Sequence, residues 1–258
     1  MKKFNNIIYS KLNNYDISIT SYLPSEDIKP KEIIIACHGF GGDKESSAII
    51  ALANKLTLNN LGLICFDFPG HGTSLVEADM LTTNNCINDI FTIEDFIKNN
   101  YPESKISIFS TSFGAYITLL KIFKYHSKYE HIILRSPAIK MNEIFKNSLI
   151  RESMESFKNR GYTELGFERI MNIPYSFYED LNNNNLFNLY KNEQKILIIQ
   201  GTEDDIAPIE DTYDFIKLDE KNLSIYTIEG ADHRMKKDGE LEKAINKSIN
   251  YILGGKNV

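Results

Sequence analysis

The sequence lacks several features that mark specialised classes of protein. It has no tryptophan, and its three cysteines, Cys37, Cys65 and Cys86, are odd in number and widely spaced, with no Cys-x-x-Cys or cysteine–histidine pair. This pattern argues against a disulfide framework and against a zinc-ligand motif. Cys37 and Cys65 fall inside apolar runs, so we expect them to be buried packing residues.

An excess of positive charge and long hydrophobic runs are also absent. The 35 Asp and Glu residues outnumber the 29 Lys and Arg residues, which gives a formal net charge of −6. A protein with this charge has no general electrostatic attraction for phosphate backbones or anionic lipid surfaces. No stretch approaches the roughly 18 apolar residues of a membrane span, and the opening MKKFNNIIYS lacks the apolar core of a secretory signal. We expect a cytoplasmic protein without a nucleic-acid partner or a membrane-inserted segment.

The sequence does contain the strand pattern of an α/β protein. With 258 residues, of which 42% are hydrophobic and 25% charged, one larger globular domain over residues 1–258 accounts for the chain. Alternation and turn residues predict an opening hairpin of 4–10 and 15–22. Continuous apolar runs, which are typical of parallel strands covered on both faces, follow at 33–37, 61–66, 106–109, 132–134, 196–199 and 223–228.

Helical patterns lie between these runs, as the crossovers of a parallel sheet require. Apolar stripes at helical spacing occur around residues 49–56, 113–120 and 241–252. The sequence thus predicts a doubly wound, mostly parallel sheet of about eight strands. From about residue 138 to residue 192 there is no apolar strand run, and a connection of that length indicates a functional insertion such as a lid.

Chemically useful side chains follow four of the predicted strands. The segments are HGFGG after Cys37, STSFG after Phe109, GTEDD after Ile199 and GADH after Ile228. In an open parallel sheet, reactive groups collect at the carboxyl ends of the strands. A serine nucleophile needs a histidine base and an acid that orients this base. The chain supplies a serine, acidic residues and a histidine in the order described for α/β-hydrolases.

These motifs resemble a serine hydrolase of the α/β-hydrolase family over about residues 33–253. The segments HGFGGDKES, FDFPGHGTS, GTEDDIAP and EGADH, together with the insertion, are similar to the cinnamoyl and feruloyl esterase branch, with acylglycerol lipases close by. The resemblance implies Ser112 as nucleophile. A serine before a helix is also a favoured N-cap, but a cap needs no partner residues elsewhere in the chain.

One residue departs from the family pattern. The family turn is usually Gly-x-Ser-x-Gly, whereas this chain has Ser110 at the first glycine position and keeps Gly114 at the second. The position two residues before the nucleophile must be small, because the strand runs directly into the helix. Serine is a small replacement, so we expect the turn to form.

Five histidines are candidates for the base. His126 and His131 flank a predicted helix–strand connection away from the other motifs and are expected at the surface. His38 and His71 lie in glycine-containing turns, which favours structural hydrogen bonding. His233 follows a strand in a Gly-Ala-x-His setting, and the resemblance assigns it as the base.

The acid could come from four neighbouring carboxylates. These are Glu203, Asp204, Asp205 and Asp232. The resemblance to a Gly-Thr-x-Asp-x-x-x-Pro pattern selects Asp204, with Asp205 as the main rival. Asp232 adjoins the base in sequence and is expected to shape its loop.

An acyl-transfer mechanism also needs two backbone N–H donors for the oxyanion. The resemblance implies the N–H groups of Phe40 and Phe113. The insertion contains many aromatic residues, most of which we expect to anchor it while a few line an acyl pocket: Phe145, Phe157, Tyr162, Phe167, Tyr175, Phe177, Tyr178, Phe187 and Tyr190.

The sequence therefore predicts a carboxylic ester hydrolase that acts on a small-molecule ester through an acyl-enzyme, without a metal or an organic cofactor. Aromatic, cinnamoyl-type or short acyl esters are the expected substrates. The alternatives are an acylglycerol lipase, a thioesterase or a peptidase with the same triad. A fourth is a non-catalytic ligand-binding homologue. The sequence carries no signal for the oligomeric state.

Overall fold

Ten strands can be traced in the computed structural model of the chain, which describes residues 1–25, 29–166 and 169–254. In chain order, these strands of the described residues are β1 (Lys2–Ser10), β2 (Tyr15–Leu23), β3 (Glu32–Cys37), β4 (Gly62–Phe66), β5 (Lys105–Thr111), β6 (Ile132–Arg135), β7 (Tyr162–Leu165), β8 (Met171–Pro174), β9 (Ile196–Gly201) and β10 (Leu223–Ile228). The predicted hairpin and all six predicted apolar strands are confirmed.

Eight of the strands form one sheet in the order β1-β2-β4-β3-β5-β6-β9-β10. The hairpin is antiparallel, and β2 pairs antiparallel with β4. All other neighbours in this sheet are parallel. The predicted mostly parallel sheet of about eight strands is therefore confirmed. The carboxyl ends of β3, β5, β6 and β9 meet at one edge, because neighbouring parallel strands point the same way.

Helices connect the strands. In the described part of the chain they are α1 (Ser47–Leu58), α2 (Thr83–Asn100), α3 (Phe113–Tyr125), α4 (Met141–Ile144), α5 (Met154–Arg160), α6 (Tyr175–Asn183), α7 (Leu186–Leu189), α8 (Ile209–Ile216) and α9 (Glu240–Ile252), with a 3₁₀ turn at Ala78–Met80 and a π-helical turn at Phe145–Leu149. The three predicted apolar stripes belong to α1, α3 and α9, whose stripe residues are mostly buried.

The sheet separates two apolar cores. Side chains alternate between its faces along each strand, so Ile33 and Ile35 of β3 pack in the core with α2 and α3. Ile34 and Ala36 of the same strand pack in the core with α1 and α9. Burial on both faces explains why the central strands read as continuous apolar runs.

The connection from β6 to β9 carries the insertion, and here one expectation was wrong. No strand was predicted between residues 138 and 192, yet β7 and β8 form an antiparallel hairpin there. These strands alternate instead of forming an apolar run: Thr163, Met171 and Ile173 are buried, while Tyr162, Glu164 and Asn172 are exposed. Phe167 lies outside the described residues. No helix within the described residues is long and apolar enough to cross a membrane.

Candidate active site

Ser112 lies on a sharp turn between β5 and α3. Its backbone has φ 50° and ψ −112°, a left-handed conformation that a non-glycine residue adopts rarely. Its side chain makes no N-cap hydrogen bond to the helix, so the capping interpretation does not describe its contacts. The strained turn instead directs the hydroxyl away from the backbone of α3.

Ser112, His233 and Asp204 form one chain of contacts. Ser112 Oγ lies 3.0 Å from Nε2 of His233. The other ring nitrogen, Nδ1, lies 2.8 Å and 3.0 Å from Oδ1 and Oδ2 of Asp204. A carboxylate only accepts hydrogen bonds, so Nδ1 carries the proton and Nε2 is left to accept from the serine hydroxyl. The structure thus brings the three predicted side chains together across 121 positions of sequence.

Asp204 is held in place from several directions. The N–H groups of Ile206 and Ala207 donate to its Oδ1 at 3.1 Å and 2.8 Å. The amide of Gln200, a buried residue at the end of β9, donates to Oδ2 at 3.3 Å. These contacts hold the carboxylate in position independently of its contact with the imidazole.

The rival acids take other positions. Asp205 is exposed and accepts only a long bond, 3.4 Å, from the N–H of His233. Asp232 accepts from the N–H groups of Arg234 and Lys236 and so shapes the loop around His233, as predicted. Within the described structure, neither carboxylate is hydrogen-bonded to a ring nitrogen of His233.

The other histidines lie outside this chain of contacts. His126 is exposed, as predicted, at the end of α3. His131 is only half-buried and its Nδ1 contacts Glu32 at 2.9 Å, so the surface expectation was incomplete for it. His38 accepts from the N–H of Phe68 through Nε2 and donates to its neighbour's carbonyl through Nδ1. Burial lowers the pKa of His38, which keeps it neutral.

The loop after β3 lies directly against the serine. A Cβ added to Gly39 would lie 3.2 Å from Cβ of Ser112 and 3.8 Å from its Oγ, so glycine permits this close approach. The next residue is Phe40, whose N–H donates to no protein acceptor in the described ranges. Phe113 begins α3, where an N–H has no intrahelical acceptor. Gly39 thus brings the residue before Phe40 close to Ser112, Phe113 follows Ser112 directly, and neither predicted donor has a competing protein acceptor among the described residues.

The turn tolerates Ser110 but requires Gly114. Ser110 is fully buried, and its hydroxyl lies 2.7 Å from that of Thr118 in α3, so the extra polar atom is satisfied. A Cβ on Gly114 would lie 2.6 Å from the carbonyl oxygen of His38, closer than any carbon side chain allows. The glycine that this chain retains is thus the one that lets α3 approach β3.

An ion pair that the sequence analysis missed anchors the loop after β3. Lys44 Nζ lies 2.6 Å from Oδ2 of Asp67, and both side chains are buried. The N–H of Lys44 donates to Oδ1 at 2.7 Å, and the N–H of Thr73 donates to Oδ2 at 2.9 Å. Burial opposes the ionised form of Asp67, but these contacts outweigh it and lower the pKa of the carboxyl. The only indication of this pair in the sequence was that Lys44 lies in HGFGGDKES and Asp67 lies in FDFPGHGTS.

The side chain of Phe40 joins this loop to the insertion. Its ring contacts those of Phe113, Phe145 and Phe177 at centroid distances of 5.8 Å, 5.7 Å and 6.2 Å. His71 lies on the same cluster, 5.1 Å from Phe40. Burial lowers the pKa of His71 to about 3, so its ring is neutral. The insertion therefore packs on the loop that carries Phe40, one of the two predicted oxyanion donors.

A cleft of about 1420 Å³ opens above these groups. Its apolar wall from the insertion is aliphatic, formed by Met141, Ile144 and Leu149, and Ile206 adds to it from the loop after β9. No aromatic residue of the insertion lines it, as far as the structure describes the chain. The expected aromatic lining is thus not found at the described positions, and Phe167 lies outside them. Phe145, Phe157 and Phe177 are fully buried in the core beneath, where each ring packs against other rings.

The sequence analysis also missed Arg135, which contacts the loop that carries His233. It ends β6, and its Nη1 donates to the carbonyl oxygen of His233 at 3.2 Å. The hydroxyl of Ser136 donates to the same oxygen at 3.3 Å. Arg135 lies at the carboxyl end of a parallel strand. Binding sites in such sheets form at these strand ends, so a charged residue there is a candidate for a functional site. Among the described residues no cluster of three or more His, Cys, Asp or Glu could hold a metal ion.

The mostly parallel sheet and the serine turn at its carboxyl edge define an α/β-hydrolase. A family model described as "Serine aminopeptidase, S33" matches residues 28–177. This match covers more than half of the chain, and the protein belongs to that family. The predicted α/β-hydrolase identity is confirmed.

Several other known proteins are similar to the chain. The monoglyceride lipase homolog of monkeypox virus is 25% identical over 247 residues, covering 85% of this chain and 88% of that protein. The structure of Est1E from Butyrivibrio proteoclasticus with bound ferulic acid superposes with a TM-score of 0.81 at 20% identity, covering 97% of this chain and 98% of the other. Mouse alpha/beta hydrolase domain-containing protein 10 gives 0.75 at 16% identity, covering 97% and 99%. The structural likenesses establish the fold, and the family supports a hydrolase of the esterase or lipase type.

Proposed function

We propose that this protein is a carboxylic ester hydrolase that acts through an acyl-enzyme intermediate. One observation carries the proposal: Ser112 Oγ lies 3.0 Å from Nε2 of His233, whose Nδ1 is held by Asp204 at 2.8 Å. A serine hydroxyl is a weak nucleophile until a base within hydrogen-bond distance accepts its proton. A purely structural serine has no need of such a base.

In the first half of the reaction, His233 takes the proton of Ser112 as Oγ attacks the carbonyl carbon of the ester. Asp204 stabilises the imidazolium that forms. The carbonyl oxygen becomes an oxyanion, which the N–H groups of Phe40 and Phe113 stabilise as fixed dipoles. The tetrahedral intermediate then collapses. The alcohol leaves with the proton from His233, and the acyl group remains on the serine.

In the second half, water replaces the alcohol. His233 takes a proton from water as its oxygen attacks the acyl-serine, and the same two N–H groups stabilise the second oxyanion. Collapse of this intermediate breaks the bond to Oγ, and the imidazolium returns its proton to Ser112. The products are one carboxylic acid and one alcohol, and the enzyme is regenerated.

The lining of the cleft favours substrates with small acyl groups. Met141, Ile144, Leu149 and Ile206 offer an aliphatic wall beside the serine, which suits a short acyl chain. Esters of hydroxycinnamic acids are the second class to test, because the similar fold of Est1E was solved with ferulic acid. Monoacylglycerols are the third, since a relative is described as a monoglyceride lipase homolog.

The test is hydrolysis of p-nitrophenyl butyrate by the purified protein. Ser112→Ala is expected to lower kcat by roughly 10⁵- to 10⁶-fold. The matched control is Ser110→Ala, which removes the other hydroxyl of the same turn and is expected to retain turnover. A fluorophosphonate should add its mass to the peptide containing Ser112 in the unmodified protein and in the Ser110 variant. Equal slow rates in all three proteins, with no labelling, would reject the proposal.

A further inference from the structure

Arg135 is a buried cation that has no ion-pair partner among the described residues. The residue is only 7% exposed. Among the residues that the structure describes, no Asp or Glu oxygen lies within 4.0 Å of its nitrogen atoms. Buried charges in proteins are normally paired, because an unpaired one loses its hydration without compensation. The two buried lysines illustrate the rule: Lys44 pairs with Asp67, and Lys121 pairs with Glu94.

The guanidinium group of Arg135 is also poorly satisfied. It has five N–H donors, of which one bonds to the carbonyl oxygen of His233 at 3.2 Å. Its Nε is buried and has no hydrogen-bond partner in the part of the chain that the structure describes. Burial lowers the pKa of the group to about 10, while Asp204 and Asp232 act from a distance to favour its charge. Arg135 is therefore charged at neutral pH and still has unused donors.

The position of Arg135 connects it with the candidate active site. Its backbone carbonyl accepts from the N–H of Ser112 at 3.0 Å, and it pairs with Thr111 across the neighbouring strands. Arg135 lines the same cleft as Ser112 and His233. A ligand held at the serine would thus lie next to a cation that has donors to spare.

We propose that Arg135 binds a carboxylate carried by the ester substrate, so that the enzyme prefers carboxylate-bearing esters to neutral ones. This inference rests on the proposed esterase function. A planar guanidinium matches a carboxylate through two parallel hydrogen bonds. Substrate binding would supply both the missing counter-charge and the missing acceptors. The overall charge of −6 gives no general attraction for anions, so a preference for them has to come from basic groups that line the cleft, of which Arg135 is one.

The kinetic test uses two pairs of esters that differ in one charge. The first pair, mono-p-nitrophenyl adipate and p-nitrophenyl hexanoate, places the carboxylate on the acyl side. The second pair, 4-carboxyphenyl butyrate and 4-methylphenyl butyrate, places it on the alcohol side. We expect the unmodified protein to show a higher kcat/KM for the charged member of at least one pair, after subtraction of the rate without enzyme. The preferred pair identifies the side that carries the carboxylate.

Three variants separate recognition of charge from support of the His233 loop. Arg135→Met should lower kcat/KM for the charged ester about 10- to 100-fold more than for its neutral partner, the usual worth of a charged hydrogen bond. Arg135→Lys should retain part of the preference. Ser136→Ala removes the other side-chain donor to the same carbonyl without changing charge, so it should leave the preference intact. Equal losses for charged and neutral esters in Arg135→Met would overturn the inference.

A binding measurement keeps the two proposals distinguishable. Glutarate is titrated calorimetrically into the full-length Ser112→Ala protein, which cannot turn over ester by the proposed mechanism. Binding that disappears in the Ser112→Ala, Arg135→Met double variant supports the carboxylate site even if the esterase assay fails. If the unmodified protein hydrolyses neutral esters but neither binds glutarate nor favours a charged ester, the carboxylate site is rejected and the esterase proposal stands.

Discussion

Lys44 and Asp67 form a buried ion pair at 2.6 Å, with side chains 7% and 0% exposed. The pair joins the loop after β3, which carries Phe40, to the segment after β4. Loss of one partner from a buried pair leaves an uncompensated charge, which is more damaging than loss of an exposed pair. The proposed oxyanion donor at Phe40 therefore depends on a contact several residues away.

We expect Lys44→Met to lower the free energy of unfolding by about 3 kcal/mol and to lower kcat more than it raises KM. The reason is that a displaced N–H at Phe40 weakens binding of the oxyanion and leaves substrate binding largely unchanged. Urea unfolding and steady-state kinetics with p-nitrophenyl butyrate measure the two effects. Lys3→Met is the control, since Lys3 pairs with Glu45 at the surface and should change stability by less than about 1 kcal/mol. Identical behaviour of the two variants would show that the pair does not anchor the loop.

Asp204 and Asp205 are adjacent in sequence but differ in burial. Asp204→Asn should lower kcat by about 10⁴-fold, because the amide no longer holds the Nδ1–H tautomer of His233. Asp205→Asn, at an exposed position, should change kcat by about twofold or less. The measurement is kcat at pH values from 6 to 9 for both variants. A larger loss in Asp205→Asn would exchange the roles of the two residues.

Asp89 gives the protein a stability that falls as the pH rises. It is fully buried in α2, where its Oδ1 accepts from the hydroxyl of Tyr15 at 2.9 Å and from the amide of Asn13 at 2.8 Å. Desolvation raises its pKa to about 8. Between its unfolded value near 4 and this folded value, the folded state binds the extra proton. This contribution to stability is therefore complete below about pH 4 and is lost as the pH approaches 8.

Asp89→Asn should remove that dependence, because an amide does not titrate. Relative to the unmodified protein, the variant is expected to gain up to about 1.4 kcal/mol of unfolding free energy per pH unit between pH 4 and 8. Urea unfolding at one-unit pH intervals measures the difference. Asp95→Asn, on an exposed face of the same helix, should run parallel to the unmodified protein. A constant offset between Asp89→Asn and the unmodified protein would contradict the assignment.

The aliphatic and aromatic pattern of the sequence was sufficient to predict the main sheet. The runs 33–37, 61–66 and 196–199 became strands because residues buried on both faces of a sheet must be apolar without interruption. The hairpin of β7 and β8 was missed because only one of its faces is buried, so its pattern is a brief alternation. Such short signals compete poorly with the helical patterns around them.

The residues of the site were predicted from motifs along the sequence. Their geometry could not be predicted in that way, because it depends on segments that are distant along the chain. The order of serine, acid and histidine could be read along the chain. The motif pattern favoured Asp204 over Asp205, but their contacts were decided only by the tertiary structure, in which Asp204 contacts the imidazole and Asp205 is exposed. The tertiary structure also decided where three insertion aromatics point: the rings of Phe145, Phe157 and Phe177 pack in a core beneath the cleft.

The sequence by itself determined the fold class, the strand runs and the candidate chemistry, since hydrophobic periodicity and motif order are properties of the chain taken in order. The tertiary structure alone decided which charges are buried, which are paired and which face the cleft. Lys44 and Arg135 are both isolated basic residues in the sequence. Folding gives the first a carboxylate at 2.6 Å and leaves the second without one among the described residues, because burial and pairing depend on neighbours brought together from distant strands.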